Sequence, residues 1–362
     1  MTEKPIVIRT TGKYVQGKGA YANIAEHAKY LADSFCILVD PFMMDVVRED
    51  IESSFRRENI DCYFVKFGGE CCDEEITRFE EIVKGTRKKG VIGVGGGKTL
   101  DTAKVVANRL ALPMISSPTS AATDAPCSGQ AVVYTKEGAF DRYIFFHKNP
   151  DIVYVDSQVV ANGPARLLVS GLGDALSTYY EGHANVVSVH ENFVGGVNSL
   201  TSQALCKLCL ETVLAKGYEA KVACEQHVVT GALEQIIEAN TYLSGSFESS
   251  GAAAAHSIHN GLSQLEETHT YLHGEKVAFG VISQMVLENR PYTEIQRIIE
   301  FCKKVGLPTC LKDIGVVENI PEKLRIVAKK AMEEGETVHS MHIPVDEEKL
   351  CNAMIVADKL GA

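Results

Sequence analysis

Gly93-Val94-Gly95-Gly96-Gly97-Lys98-Thr99-Leu100-Asp101-Thr102-Ala103-Lys104 follows the apolar residues Val91 and Ile92 and runs into a helix-like segment. A strand that enters a helix through consecutive glycines brings backbone N–H groups close to whatever lies beyond the turn, because no Cβ intervenes. The helix start adds unpaired N–H groups and a partial positive charge. Gly95, Gly96 and Gly97 therefore mark a phosphate-binding loop, with Lys98 as an added point charge. Neither common phosphate motif fits. The P-loop needs a glycine five residues before Gly97, where Ile92 stands, and the dinucleotide fingerprint needs one where Lys98 stands. The competing reading is a tight strand-to-helix turn that binds nothing.

Outward from this loop, short apolar runs alternate with helical patterns. Strand-like runs fall at Ile6–Ile8, Cys36–Val39, Tyr63–Val65, Val91–Val94 and Met114–Ser116, with helical patterns at Val46–Glu58, Glu74–Lys88 and Thr99–Leu110. This alternation predicts a mostly parallel sheet covered by helices. Two more strands are expected at Ala131–Tyr134 and Ile152–Val155, with a hairpin or irregular excursion over Thr135–Pro150. After Asn162-Gly163-Pro164 the pattern becomes helical throughout, and Pro164 suits a first helical turn. The expected helices are Ala165–Leu168, Asp174–Gly182, Ser199–Leu214, Val229–Ser244, Ala252–Leu265, Val277–Leu287, Glu294–Val305, Glu322–Ala331 and Glu347–Leu360. The expected fold class is α/β: a Rossmann-like domain over residues 1–162, then an all-helical domain over 163–362, with ligands in the cleft between them.

The chain has 362 residues, room for two domains, and is 45% hydrophobic and 23% charged, as suits a globular protein. Its net charge of −11, without a basic cluster, speaks against nucleic acid or an anionic membrane as partner. The first residues carry no secretory apolar segment, and no apolar run is long enough to cross a membrane. Eleven cysteines in no compact disulfide spacing place the expected compartment in the reducing cytoplasm. Cys206-x-x-Cys209 lies in a helical pattern and reads as two small packed hydrophobes rather than a zinc or redox pair.

Several side chains could carry chemistry. Asp40 ends the apolar run Cys36–Val39, where a carboxylate can accept hydrogen bonds from a ribose diol and repel a 2′-phosphate, or simply cap the next segment. The hydroxyl-rich loop Ser116-Ser117-Pro118-Thr119-Ser120-Ala121-Ala122-Thr123-Asp124 follows a strand, a usual place for a ligand crevice. In the helical half, Asp174, His256 and His273 offer one carboxylate and two imidazoles, a set that suits a catalytic Zn2+ or Fe2+ with open positions. A single His on an Ala-rich helix is otherwise a packed, hydrogen-bonded residue. His259, one turn after His256, would support the ligands from behind.

The glycine loop, the segment Ser116–Asp124, Gly173-Asp174-Ala175-Leu176, Asn240-Thr241-Tyr242-Leu243-Ser244, His256-Ser257-Ile258-His259-Asn260-Gly261 and His273-Gly274-Glu275-Lys276 together resemble the glycerol dehydrogenases. These form a branch of the metal-dependent, iron-containing alcohol dehydrogenase superfamily, which shares its fold with dehydroquinate synthase. The resemblance implies a dehydroquinate synthase-like fold, with NAD and a metal in the interdomain cleft. It implies Asp174, His256 and His273 as metal ligands. Asp40, Gly95, Gly96, Gly97, Lys98, Thr119, Ser120, Ser128 and Tyr134 fall where the family binds NAD, and Asp124 and Phe247 where it lines the substrate, with His256 beside them. Three departures stand out: the iron-dependent branch has a His where Thr178 stands, the run before Phe247 is one residue short, and Gln130 replaces an apolar residue beside the cofactor. Thr178 leaves three protein ligands and favours zinc over iron.

The implied activity is NAD-dependent oxidation of glycerol, or a related vicinal diol, to the hydroxyketone, by a homo-oligomer for which the family implies an octamer. The general base is His259 or a water. The alternatives are a lyase or cyclase of the dehydroquinate synthase type that regenerates its NAD, a reductase of another small carbonyl compound, and a nucleotide-binding module without catalysis.

Overall fold

The structure, a computed structural model, describes residues 4–362. Its strands are β1 (Tyr14–Gly17), β2 (Ser34–Val39), β3 (Asp61–Lys66), β4 (Gly90–Gly95), β5 (Met114–Pro118), β6 (Gln130–Tyr134), β7 (Phe140–Phe145) and β8 (Ile152–Asp156). Helices α1 (Ile24–Ala28), α2 (Met44–Arg57), α3 (Asp73–Thr86) and α4 (Gly97–Arg109) alternate with the early strands. Six strands form one parallel sheet in the order β1-β8-β5-β4-β2-β3. Every residue of β4, β5 and β8 is buried, because helices cover both faces of the sheet.

From β2 the chain moves outward to β3, then crosses back over β2 to β4. The carboxyl ends of β2 and β4 therefore flank a topological switch point, where open α/β sheets take ligands. Asp40 leaves β2 there, its N–H donating to the Val94 carbonyl at 2.9 Å, and Gly95–Gly97 leave β4 beside it.

The expected strand Ile6–Ile8 does not join the sheet. Ile6 makes only an isolated bridge to Val197, and the edge position goes to Tyr14–Gly17, whose partly polar sequence suits a half-buried strand. The excursion over 135–150 is the antiparallel β6–β7 hairpin, with a bulge at Val133/Tyr134. Its inner side chains Ala131, Val133 and Ile144 pack with α3 and α4.

After β8 the structure is helical: α5 (Ser157–Asn162), α6 (Ala165–Ser188), α7 (Leu200–Glu225), α8 (Gly231–Glu238), α9 (Phe247–Ser250), α10 (Ala254–Leu262), α11 (His273–Leu287), α12 (Tyr292–Val305), α13 (Ile320–Ala331) and α14 (Glu347–Gly361), with short 3-10 turns between some of them. The two helices expected over Ala165–Leu168 and Asp174–Gly182 are one, α6, and the helix expected over Val229–Ser244 ends as α8 and continues through a π turn at Ala239–Leu243. The core of these helices takes in Ala121, Cys127, Val153 and Val155 from the sheet half, so the two halves share packing. Cys206 and Cys209 are buried on α7, and all eleven cysteines are free. Among the described residues no helix is long and apolar enough to cross a membrane.

Candidate active site

Three helices bring Asp174, His256 and His273 together although 99 residues separate the first from the last. Asp174 lies inside α6, His256 in the first turn of α10, and His273 opens α11. Glycines let these helices approach at backbone distance. A Cβ on Gly274 would stand 1.8 Å from the Ser170 carbonyl oxygen, and one on Gly173 2.2 Å from the Gly274 carbonyl oxygen, so α6 and α11 touch without side chains between them. A Cβ on Gly280 would meet the Ala255 carbonyl oxygen at 2.5 Å, which presses α10 onto α11 in the same way. Gly173 thus interrupts the sequence pattern of α6 because it serves the crossing, and Gly171 because its missing Cβ leaves room for the Ala121 carbonyl and the Asn240 side chain.

At the crossing, His273 Nε2 lies 3.1 Å and His256 Nε2 3.5 Å from Asp174 Oδ1, and one ligand atom from each residue falls within 4.8 Å of the others. Asp174 is buried and both imidazoles are half-buried, so the cluster is reached from solvent on the imidazole side. Burial pushes the Asp174 carboxyl up, but the His273 imidazole and the hydrogen bond from His256 outweigh it and hold the group well below the usual carboxylate range. One oxygen and two nitrogens on a common point form a donor set that fits a divalent cation. Thr178, four residues after Asp174, directs its hydroxyl to Ser244 Oγ at 3.3 Å, so it supplies no fourth ligand.

The far nitrogens of both imidazoles are held from behind. Glu181, buried on α6 two turns after Asp174, accepts from His256 Nδ1 at 2.6 Å, from the His256 backbone N–H at 2.9 Å and from that of Ala253 at 2.8 Å. This carboxylate sets the tautomer that frees His256 Nε2 toward Asp174. Burial works against charge on His256, yet Glu181 and Asp174 raise its pKa well above the usual imidazole range. His273 Nδ1 lies 3.1 Å from His259 Nε2, and His259 Nδ1 3.1 Å from Asn260 Oδ1. Asn260 donates in turn to Glu336 at 2.9 Å. His259 therefore backs His273, not the His256 one turn before it. Burial, then the neighbouring His273, lower its pKa well below the usual range.

Phe247 stacks on His256, ring centroids 6.1 Å apart at 17°. Asp124 belongs to the same neighbourhood: burial, then the Asp174 carboxylate, raise its pKa well above the usual range. The loop that carries Asp124 is anchored by Lys104, whose buried ammonium donates to the carbonyls of Ala125 at 2.5 Å and Gln130 at 2.9 Å, to Ser128 Oγ at 3.2 Å and to Asp101 at 3.1 Å. Buried Glu248, next to Phe247, accepts from the Gly129 N–H at 2.6 Å and from Asn149 at 2.8 Å, and pairs with Arg9 at 3.2 Å. The segment after Asp124 is thus tied to both halves.

At the switch point, the Asp40 Oδ1 accepts from the Phe42 N–H at 3.0 Å, so Asp40 is both a local cap and a strand-end carboxylate. Gly96 precedes α4 without a side-chain cap, and a Cβ on Gly96 or Gly97 would meet nothing within 4 Å, a cradle open to a phosphate group. Thr119 and Ser120 follow β5, half-buried, with the Thr119 N–H on the Gly95 carbonyl at 3.1 Å. Ser128 Oγ donates to the Ala125 carbonyl at 3.1 Å. Lys98 leans away from the backbone cradle: its ammonium pairs with Glu70 at 2.6 Å and lies 4.8 Å from the Tyr134 ring centre.

The sequence reading missed Glu70, Lys104, Glu181, Glu248 and Phe193, whose ring lies 5.4 Å from that of Phe247. Two carried a signal: Glu181 stands seven residues after Asp174 on one helix face, and Lys104 three after Asp101. The other three depend on contacts made across the fold.

The sequence pattern of the iron-containing alcohol dehydrogenases matches residues 11–157. The chain is 46% identical over 356 residues to a glycerol dehydrogenase of Citrobacter freundii, covering 98% of both chains. The chain belongs to the iron-containing alcohol dehydrogenase family. Within it, a glycolaldehyde reductase of Halobacterium salinarum is 41% identical, again over 98% of both chains. The crystal structure of a probable glycerol dehydrogenase from Sinorhizobium meliloti superposes with a TM-score of 0.92 at 40% identity, over 99% of each chain. The family is one of oxidoreductases that use NAD and a metal, and both the glycine cradle and the Asp-His-His cluster agree with it.

Proposed function

We propose that the chain oxidises glycerol, or a related vicinal diol, with NAD and Zn2+. The observation that carries this reading is the convergence of Asp174, His256 and His273 on one point, with Phe247 stacked on His256. Residues 1–162 would hold the dinucleotide and 163–362 the metal and the diol. Asp174, His256 and His273 would hold the metal, with Glu181 keeping His256 Nε2 aimed at it and His259 accepting the Nδ1 proton of His273. When bound, the cation supplies Lewis acidity that eases loss of a hydroxyl proton, and NAD supplies the hydride acceptor. The Gly95–Gly97 backbone would hold the pyrophosphate and Asp40 the ribose diol, while Thr119, Ser120, Ser128 and Tyr134 line the rest of the dinucleotide path. Phe247 excludes water from the reacting end.

Zinc is favoured because Thr178 leaves three protein ligands, the usual number at a catalytic zinc. The reducing cytoplasm agrees with eleven free cysteines. A homo-oligomer agrees with exposed Ile6, Val189 and Leu200 around the α6–α7 junction.

The test is a panel of small polyols with NAD on protein stripped by a chelator and reloaded with Zn2+ or Fe2+. NADH should accumulate with glycerol on the zinc-loaded protein and not on the stripped protein. Failure to form NADH from any vicinal diol overturns the reading, and turnover without net NADH points to the lyase or cyclase class. The similarity to a glycolaldehyde reductase favours a second reading, in which the same cleft reduces a small hydroxyaldehyde. Comparing kcat/KM for glycerol oxidation with that for glycolaldehyde reduction separates the two.

A further inference from the structure

We infer that Phe193 is a specificity residue. With Phe247 it forms an aromatic wall that limits how far the substrate extends beyond its vicinal diol. This inference rests on the diol reading above. Phe247 stacks on the metal-ligand candidate His256, and the Phe193 ring lies 5.4 Å from Phe247 at 58°. Both phenylalanines are only half-buried. A substrate held beside His256 meets Phe247 first and Phe193 behind it.

The loop that presents Phe193 is built to hold a ring in place. Asn192 Oδ1 accepts from the N–H groups of Val194 at 3.2 Å and Gly196 at 3.0 Å, and its Nδ2 donates to Val7 at 3.1 Å and Ser249 at 2.9 Å. The Phe193 N–H donates to the Glu248 carbonyl at 3.0 Å. Glu248 is the buried residue whose side chain also holds Gly129, Asn149 and Arg9. The wall is therefore fixed to the same frame that fixes the substrate loop. A rigid apolar wall discriminates by size: one methylene too many in such a pocket costs about 10–200-fold in kcat/KM. On this reading glycerol and other three-carbon diols reach Phe247 but stop short of Phe193, and longer-chain terminal diols run on into Phe193.

The experiment measures kcat/KM with NAD on the zinc-loaded protein for glycerol and for terminal vicinal diols of three, four and six carbons. It compares the wild type with Phe193→Ala, Phe193→Leu and Phe193→Trp. Removing the ring should raise the six-carbon to three-carbon ratio by about 10-fold or more in Phe193→Ala and less in Phe193→Leu, while Phe193→Trp lowers it. If Phe193 only packs against Phe247, all diols lose activity together and the ratios stay put. An unmoved ratio in the folded variants overturns the inference while leaving the diol reading intact. A wild type that oxidises no vicinal diol overturns both.

Discussion

Replacing Glu181 by Gln should loosen the metal without touching a metal ligand. The carboxylate is buried and receives three N–H groups: His256 Nδ1, the His256 backbone and the Ala253 backbone. A Gln amide offers one acceptor oxygen in place of two, and its NH2 then faces an N–H donor. At least one of the three bonds is lost, and His256 is no longer held in the tautomer that presents Nε2. A hydrogen bond to a charged group contributes about 1.5–3 kcal/mol, which corresponds to about 10–150-fold in an equilibrium constant. Residues that orient a metal ligand affect metal affinity by about 10–100-fold, so the two figures agree. The assay is a competition titration of Zn2+ against a chromophoric chelator, with wild type, Glu181→Gln and Asp174→Ala side by side. The expected result is a zinc Kd weakened about 10–100-fold in Glu181→Gln and more in Asp174→Ala. A folded Glu181→Gln variant with wild-type zinc affinity would refute the reasoning, because the ligand geometry would then not depend on the carboxylate.

Gly274→Ala places a Cβ 1.8 Å from the Ser170 carbonyl oxygen, so α6 and α11 must separate; the expected outcome is a loss of about 1–3 kcal/mol or more in denaturant unfolding, together with weaker zinc binding. Asp40→Ser removes the strand-end carboxylate, and the ratio of kcat/KM for NAD over NADP should fall; an unchanged ratio would show that Asp40 serves only as the cap of Phe42. His256 has a pKa raised above the usual imidazole range, so it must shed a proton to take a metal. Zinc affinity should therefore be full above that raised pKa and decline as pH falls through it, starting above the pH at which a free imidazole titrates; a chelator competition repeated across pH measures the onset.

Much of the fold was legible because its signals are local. Buried parallel strands read as short apolar runs, and β2, β4, β5 and β8 all lie where such runs predict them. Ile6–Ile8 shows the limit of that logic: an apolar run becomes a strand only if a partner with a free edge is near, and Val197 offers a single bridge. Gly171 and Gly173 show it from the other side. They lower helix propensity and so divide the pattern, but the helix continues because the Ala121 carbonyl and Asn240 fill the place of a side chain at Gly171 and the α11 backbone does so at Gly173.

The sequence by itself determined the parallel-sheet half, the helical half, the glycine cradle, Asp40 at a strand end, and the residue types able to bind a metal. Each is written in runs of a few residues, where periodicity, the missing Cβ of glycine or side-chain chemistry speaks directly. Only the tertiary structure decided that Asp174, His256 and His273 share one point, that Glu181 and His259 hold the two imidazoles from behind, that Lys98 pairs with Glu70, and that Phe193 stands behind Phe247. Those relations join segments far apart in the chain. They depend on how closely three helices pack, a quantity set by side chains that are absent at Gly173, Gly274 and Gly280 rather than by any pattern along one helix.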